Sequence, residues 1–395
     1  IERLERLIKE QQQQLESLQQ QLNQLKQTAT DAQTQAKEAK SVAQEAKATV
    51  QAPAATAVTS GQERVKLAIS GQVNRAVNVA DDGKNTTAYF VDNDASNTRA
   101  RFIGTARATD DLTIGSRIEL AISPNNSSDV SQDSEESGDF FDQRWAEVSL
   151  DSKRFGKRSL GKGDTASNNS AEVDLSRTDV VQYASIADIA AGLKFRQSSG
   201  DTLTDVSVSD AFKDLDGLSR KSRLRYDTPR FYGFSLAGSL ISDQRYDASL
   251  WWGGQGFGFK AAGALAFADP NEDDTDHQYD GSFSLLHEPT GLNLTLSAGL
   301  KERDDQGNPQ NYYAKAGWLT RIFSFGETAF SVDYTKSDNL PTENDDGWSM
   351  GGALVQQFEE FGTELYLQYR LYSLDRDRDP DVQDINVVTI GTRVK

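Results

Sequence analysis

The feature that most constrains this chain is a change in the spacing of its apolar residues. Residues 1–50 follow a seven-residue repeat in which Ile1, Ile8 and Leu15 share one core position. A strict 3.5-residue period keeps one apolar seam facing a partner helix, so this segment predicts an α-helical coiled coil. From about residue 64 onward, segments of about ten residues alternate apolar and polar side chains, which is typical of transmembrane β-barrel strands.

The change predicts three parts: a coiled coil over 1–50, a linker over 51–63 and an all-β antiparallel transmembrane barrel over 64–395. No stretch approaches about 18 consecutive apolar residues, so helical membrane spans are excluded. A barrel escapes that test because only every second residue meets lipid. The low hydrophobic content of 36% and the mean hydropathy of −0.62 agree with such a wall.

Negative charge is concentrated in the predicted barrel. The net charge is −18, and all but one unit of it lies after residue 63. Nucleic acid needs the opposite sign in its partner, so it is excluded as a ligand. The acids cluster in turn-like runs that we interpret as solvated loops on one side of a membrane: 129–142, 269–276, 302–305, 343–346 and 375–384. Such loops concentrate cations at a pore mouth, so charge alone predicts a weak cation preference.

Residues 292–301 and 363–373 show the alternation most clearly. A soluble β-sandwich alternates in the same way. Two observations favour a membrane: short connections oppose the long acidic ones, and aromatic residues lie near the strand ends. These aromatic residues are Phe231, Tyr232, Trp251, Trp252, Tyr312, Tyr313, Trp318 and Trp348.

Three motifs lie within 64–395: RARFIG at 99–104 followed by DDL at 110–112, RWAEVSL at 144–150, and SRLRYDTPRFYGFS at 222–235. They resemble, in order, the second to third strands, the hairpin before the constriction loop, and the strand after that loop in general trimeric porins of Gram-negative bacteria. Porins that carry a coiled coil also exist, so the N-terminal repeat is compatible with this resemblance.

The resemblance implies sixteen strands, a homotrimer and a third loop, here called loop 3 (about 163–219), that folds back into a water-filled pore. The residues alone allow another hairpin at 180–184 and 190–196, which gives eighteen strands as the alternative. The resemblance also implies an outer-membrane location among lipid and lipopolysaccharide, with the coiled coil in the periplasm. Small polar or charged solutes would cross by passive diffusion.

The resemblance places arginines of the wall opposite acids of loop 3 at the narrowest point. The matching positions are Arg99 or Arg101, Arg144, Arg223 or Arg225, and, facing them, Glu172, Asp174 and Asp179. Arg117 is added from the residues themselves, because it alternates with Ile118 and Leu120 and should point inward. Arg144 shares its parity with Ala146 and needs a β-bulge to face the pore.

Other sites are weaker. Asp375, Asp377, Asp379 and Asp381 offer alternating oxygen ligands for Ca²⁺ but lack the glycine and closing glutamate of an EF-hand loop. The glycines of 253–258 have no β-α-β context for a dinucleotide. With two histidines, no cysteine and no Ser-His-Asp grouping, we expect neither an enzyme nor a resident cofactor.

The chain ends carry two expectations. Ile1 already lies inside the repeat, so we expect a mature or trimmed form. Barrels of this family usually end on an aromatic residue, and Val388, Ile390 and Val394 share a row that the next residue would continue. We therefore expect one aromatic residue after Lys395.

Two alternatives to a general pore stay open. The helix would be roughly 75 Å long at 1.5 Å per residue, which also suits a tether between the outer membrane and peptidoglycan. The other alternative is a substrate-specific channel for small anions or sugars. An arginine ladder or an aromatic slide would support it, and the sequence shows neither clearly.

Overall fold

The computed structural model describes residues 58–61, 64–138, 140–272, 275–304, 307–378 and 380–395. The predicted coiled coil and most of the predicted linker lie outside these residues, as does Asp379 among the Ca²⁺ candidates. Within the described ranges, no helix is long and apolar enough to cross a membrane.

The described chain is mostly β-strand. The first ten strands are β1 Val58–Gly61, β2 Val65–Asp81, β3 Thr86–Asp92, β4 Arg99–Arg107, β5 Leu112–Ile122, β6 Phe141–Ser152, β7 Gly156–Asp164, β8 Lys194–Arg196, β9 Leu203–Ser207 and β10 Arg220–Asp227. The next ten are β11 Phe234–Ile241, β12 Tyr246–Gly256, β13 Phe259–Asp269, β14 His277–His287, β15 Leu292–Glu302, β16 Gln310–Phe323, β17 Gly326–Asp338, β18 Asp346–Phe358, β19 Thr363–Asp375 and β20 Ile385–Val394. The described residues also contain a short helix, α1 Val208–Ala211, and the 3-10 turns Asp94–Ser96 and Glu359–Phe361.

The strands close into an antiparallel barrel with sixteen wall positions. β2 pairs with β20 through 73–81 and 386–394, which closes the ring. β3 and β4 share the second position, because they pair with different parts of β2. The sixteen-strand prediction is therefore confirmed. The eighteen-strand alternative is wrong, since 180–193 forms turns and bends while β8 and β9 pair only in a small sheet of their own.

The two faces of the wall follow the alternation from which the barrel was predicted. In β15, Leu292 and Leu296 are 59% and 45% exposed on the outer face, whereas Asn293 and Thr295 are buried on the inner one. Water-soluble proteins bury their apolar face, so this reversed arrangement indicates that lipid covers the outside. Among the aromatic residues near the strand ends, the side chain of Tyr313 is buried on the inner face and therefore does not contact lipid.

Loop 3 covers 165–219, between β7 and β10, and lies against the inner face of the wall. Inward side chains from distant strands donate hydrogen bonds to its backbone carbonyls. These bonds run from Asn78 to Ile189 at 2.6 Å, from Ser282 to Ser170 at 2.6 Å and from Tyr372 to Ile186 at 2.7 Å. Lys315 of β16 adds an ion pair with Asp174. Bonds from β2, β14, β16 and β19 thus fix the loop inside the barrel.

Apolar side chains of loop 3 also pack on the wall. Val180, Ile189 and Phe195 are at most 3% exposed and form one cluster with inward residues such as Ala76 of β2 and Val387 of β20. Burying one large aliphatic side chain fully stabilises a protein by about 1.5–3 kcal/mol. The cluster therefore holds the loop on this part of the wall, where inward positions are apolar instead of polar.

Within loop 3, the β8–β9 hairpin is bonded to segments that connect wall strands. Arg196 forms a buried ion pair with Asp82 at 2.6 Å, and Lys84 forms an exposed pair with Asp201 at 2.6 Å. Two backbone hydrogen bonds of 2.7 Å run from Ser198 to Asp381 and from Gln383 to Arg196. The hairpin thus connects loop 3 to the β2–β3 and β19–β20 connections.

Candidate functional site: four arginines around one buried carboxylate

Glu119 occupies the inner face of β5. Its side chain is fully buried, and it follows Arg117 by two positions. Ile114 and Ile118, which have the opposite parity, are 44% and 47% exposed on the outer face. Because successive side chains of a strand alternate between its faces, Arg117 and Glu119 both point into the barrel.

Four guanidinium groups converge on the Glu119 carboxylate. We call this set the arginine fan: Arg99, Arg101, Arg117 and Arg144. Oε2 accepts hydrogen bonds from Arg101 Nε and Arg117 Nη2 at 2.6 Å each, and Oε1 accepts one from Arg144 Nε at 2.9 Å. Arg99 Nη1 lies 3.5 Å from Oε1. One carboxylate against four guanidiniums leaves the fan with a net charge of +3.

A β-bulge brings Arg144 into the fan. Glu119 pairs with Trp145 and Leu120 pairs with Gln143, so Arg144 is the extra, unpaired residue of β6. A bulge bends its strand and re-aims the side chain at that point. Arg144 therefore reaches the inward Glu119 although its sequence parity is that of the outward residues of β6.

Trp145 packs under the fan. Its ring centroid lies 3.7 Å from Cζ of Arg117, 5.0 Å from that of Arg220 and 5.7 Å from that of Arg144. A cation over an indole face is stabilised by about 0.5–2 kcal/mol. Gly163 of β7 leaves room for the ring, because a Cβ there would lie 2.6 Å from Trp145 Cδ1. The indole thus supports three guanidiniums at once.

The other two predicted wall arginines have different partners. Arg223 pairs with Glu147 at 2.6 Å, and Arg225 pairs with Asp227 at 2.7 Å. Both also donate to backbone carbonyls where β7 passes into loop 3, at 2.8 Å from Arg223 Nε and 2.6 Å from Arg225 Nη1. They brace the start of loop 3 and do not contact Glu119.

A second charged group lies on loop 3. We call Glu172, Asp188, Asp214 and Asp216 the loop-3 acids; Glu172 and Asp214 share a hydrogen bond. Burial, with repulsion from the neighbouring carboxylates, raises the pKa of Glu172 well above its usual range. Burial, with repulsion from Asp94, raises the pKa of Asp188 to about 7. The group therefore carries less than its full negative charge at neutral pH.

Asp94 links the two groups, since it interacts electrostatically with both Arg144 and Asp188. Of the three predicted loop acids, only Glu172 belongs to the loop-3 acids. Asp174 forms an ion pair with Lys315 instead, and Asp179 is exposed.

Several residues of the site were not predicted from the sequence: Glu119, Trp145, Arg220, Asp188, Asp214 and Asp216. Glu119 carried a usable signal, because it shares the inward parity of Arg117. The three aspartates lie in irregular chain, where no periodicity indicates which way a side chain points.

No group of three or more His, Asp or Glu side chains in the described ranges is placed to hold a metal ion. Asp377 lies 3.6 Å from Arg378 and accepts a hydrogen bond from Asn344 at 3.3 Å. Its carboxylate therefore already has partners within the chain.

Comparison with known proteins gives one family and several solved structures of the same fold. A family model described as Gram-negative porin matches residues 46–389. No curated protein matches the sequence. An anion-selective porin from Comamonas acidovorans has a TM-score of 0.58 at 14% identity, over 84% of this chain and 99% of that one. In-vitro folded OmpT of Vibrio cholerae, in trimer form, has a TM-score of 0.54 at 14% identity, over 84% of this chain and 99% of that one. The outer-membrane channel DcaP of Acinetobacter baumannii has a TM-score of 0.53 at 11% identity, over 85% of this chain and 98% of that one. At such identities, these structures show a common fold.

Proposed function

This chain belongs to the Gram-negative porin family, and from that premise we propose that loop 3 narrows a water-filled pore for small polar or charged solutes. The family and the outer-membrane channels of the same fold support passive diffusion across the outer membrane. The hydrogen bonds and apolar packing of loop 3 on the inner wall support its role as the constriction. Such a pore performs no reaction and selects solutes by width and by the local field.

We further propose that the pore prefers small anions, and the arginine fan carries this step. Its net charge of +3 raises the local concentration of anions beside the wall. The acidic connections act at the mouth, where salt screens their field over about 10 Å at 0.1 M. The fan lies on the inner wall, so its field acts on a solute as the solute passes through the pore. We therefore expect anion preference to outweigh the cation preference that net charge alone predicts.

A homotrimer is the proposed assembly, because one part of the outer wall differs from the rest. Large aromatic residues such as Trp318 and Tyr334 are nearly half exposed on β16 and β17. On β2 and β4–β6, an outer groove is lined by small residues such as Gly104 and Ser116 and by aliphatic ones such as Ile114 and Val148, with no aromatic side chain in its described lining. Aromatic rims suit lipid and lipopolysaccharide, whereas small residues let another wall approach closely. A trimer form among the structures of the same fold supports this assembly.

Liposome swelling tests the diffusion pore. The full chain, reconstituted in liposomes, should admit neutral sugars at rates that fall as the sugar grows, because a water-filled constriction selects by width. Liposomes without protein provide the baseline. Well-folded protein that gives no swelling with any sugar would rule the pore out.

The tether remains a second candidate, since the heptads of 1–50 lie almost wholly outside the region matched to the porin family. A periplasmic coiled coil could bind peptidoglycan while the barrel conducts. Deleting 1–50 separates the two roles: swelling should persist, and any co-sedimentation of the full chain with peptidoglycan should disappear. Ca²⁺ at Asp375, Asp377, Asp379 and Asp381 remains a sequence prediction, to be tested by calcium titration.

A further inference from the structure

Glu119 is an unexpected residue in an anion filter. A carboxylate at this point removes one unit from the positive charge that attracts anions. It is also fully buried, where an ionised carboxylate requires close partners. Its charge therefore does not explain why Glu119 stands here. Its hydrogen bonds to the arginines indicate another role.

The guanidiniums of the fan repel each other. Arg99 interacts unfavourably with Arg144, Arg101 and Arg220, and favourably with Glu119. Like charges a few ångströms apart turn away from each other unless an opposite charge lies between them. Glu119 provides that charge and is bonded to guanidiniums from β4, β5 and β6.

The atoms that Glu119 binds leave other donors unused. It holds Arg101 and Arg144 through Nε, and no described residue accepts a hydrogen bond from their terminal nitrogens. Nε of Arg117 is buried and has no hydrogen-bond partner among the described residues. Several N–H groups of one small region are thus fixed in direction and unsatisfied. Convergent guanidinium donors match the oxygens of a carboxylate, sulfate or phosphate.

We propose that Glu119 is a positioning residue, whose carboxylate fixes the arginine fan so that its remaining N–H groups bind one small oxyanion. The proposal rests on the anion preference proposed above and adds a solute class to it. Glu119 acts through the arginines, since its own oxygens already accept their bonds. Trp145 supports the same geometry from below, through its contacts with Arg117 and Arg144.

Glu147 is a matched control for charge. It lies on β6 in register with Arg117, is likewise almost buried and has one arginine partner, Arg223 at 2.6 Å. Replacing either glutamate by glutamine removes one negative charge at almost the same place on the inner wall. Only the change at Glu119 removes the centre of the fan.

The test is block of chloride current by sulfate in single channels of the full-length protein. Both Glu119→Gln and Glu147→Gln should raise the chloride-to-potassium permeability ratio about threefold, because one unit charge roughly 7 Å away in about 0.1 M salt favours chloride and disfavours potassium by about 1.7-fold each. Sulfate block should tighten about threefold in Glu147→Gln, because sulfate carries two charges. In Glu119→Gln it should weaken about fivefold despite the added positive charge, because the donors no longer converge. Equal tightening of sulfate block in both variants would show that Glu119 affects anions only through its charge, and would overturn the proposal.

Glu119→Asp provides a second test that keeps the charge. The shorter side chain cannot reach all four guanidiniums, so sulfate block should weaken about threefold although no charge has been added or removed. Wild-type block in this variant would contradict the proposal. A wild-type channel that conducts and prefers chloride but shows no sulfate block would also contradict it, leaving the anion pore intact. Absence of conductance in well-folded wild-type protein would instead refute the proposed function.

Discussion

At the scale of single residues, burial decides the charge of the loop-3 acids. Asp188 accepts hydrogen bonds from Tyr183 and Ser185, yet burial and the nearby Asp94 and Asp214 raise its pKa to about 7. A carboxyl group is neutral below its pKa and negative above it. Raising the pH from 6 to 8 therefore adds negative charge to loop 3 near Asp94, which itself interacts with Arg144 of the fan.

The first prediction concerns this titration. The chloride-to-potassium permeability ratio should fall about two- to threefold between pH 6 and 8, because the new charge opposes the field of the fan. Asp188→Asn should make that step smaller. Asp179→Asn, at an exposed loop-3 position, should keep the wild-type pH profile. An unchanged step in Asp188→Asn would show that another group titrates.

At the scale of elements, the β8–β9 hairpin attaches loop 3 to the connections between wall strands. Two ion pairs of equal length join it to the β2–β3 connection, but one is buried and the other exposed. Breaking a buried pair leaves one charge without a partner and costs about 3–5 kcal/mol, whereas an exposed pair contributes about 0–1 kcal/mol.

The second prediction follows from that contrast. Arg196→Ala leaves Asp82 buried and unpaired, so the hairpin should open more often and its amides over 194–207 should exchange hydrogen at least about 100-fold faster. Lys84→Ala removes the exposed pair and should change exchange by less than about tenfold. Hydrogen exchange followed by mass spectrometry measures both. Equal effects of the two variants would mean that the buried pair does not hold the hairpin.

Elements also differ in how far the sequence predicts them. β15 was predicted because Leu292 to Leu300 alternate without a break, and alternation is a local property. The alternative hairpin at 180–184 and 190–196 is wrong, because Val180 and Ile189 are apolar residues of the loop-3 core and do not mark one face of a strand. The bulge at Arg144 depends on which residue of β5 pairs with Trp145. The sequence of one strand does not determine its register with the next strand.

At the scale of the whole molecule, opposite charges act at different depths. The acidic connections dominate the net charge of −18, whereas the arginine fan is a local excess on the inner wall. The sequence predicted the barrel and named the four arginines that the structure brings together around Glu119, because motifs and parity indicate them. It did not predict Glu119 or most loop-3 acids, whose roles depend on contacts between distant segments such as Asp94 and Asp188.

The most direct test of this account is the reversal potential of single channels in a planar bilayer with a potassium chloride gradient across it. We predict closure in three equal steps and a potential of the sign that marks anion preference. Arg101→Gln combined with Arg117→Gln should move the potential toward zero, because two of the four charges of the fan are lost. A wild-type potential of the sign that marks cation preference, unchanged in the double variant, would show that the acidic mouth and not the arginine fan controls the pore.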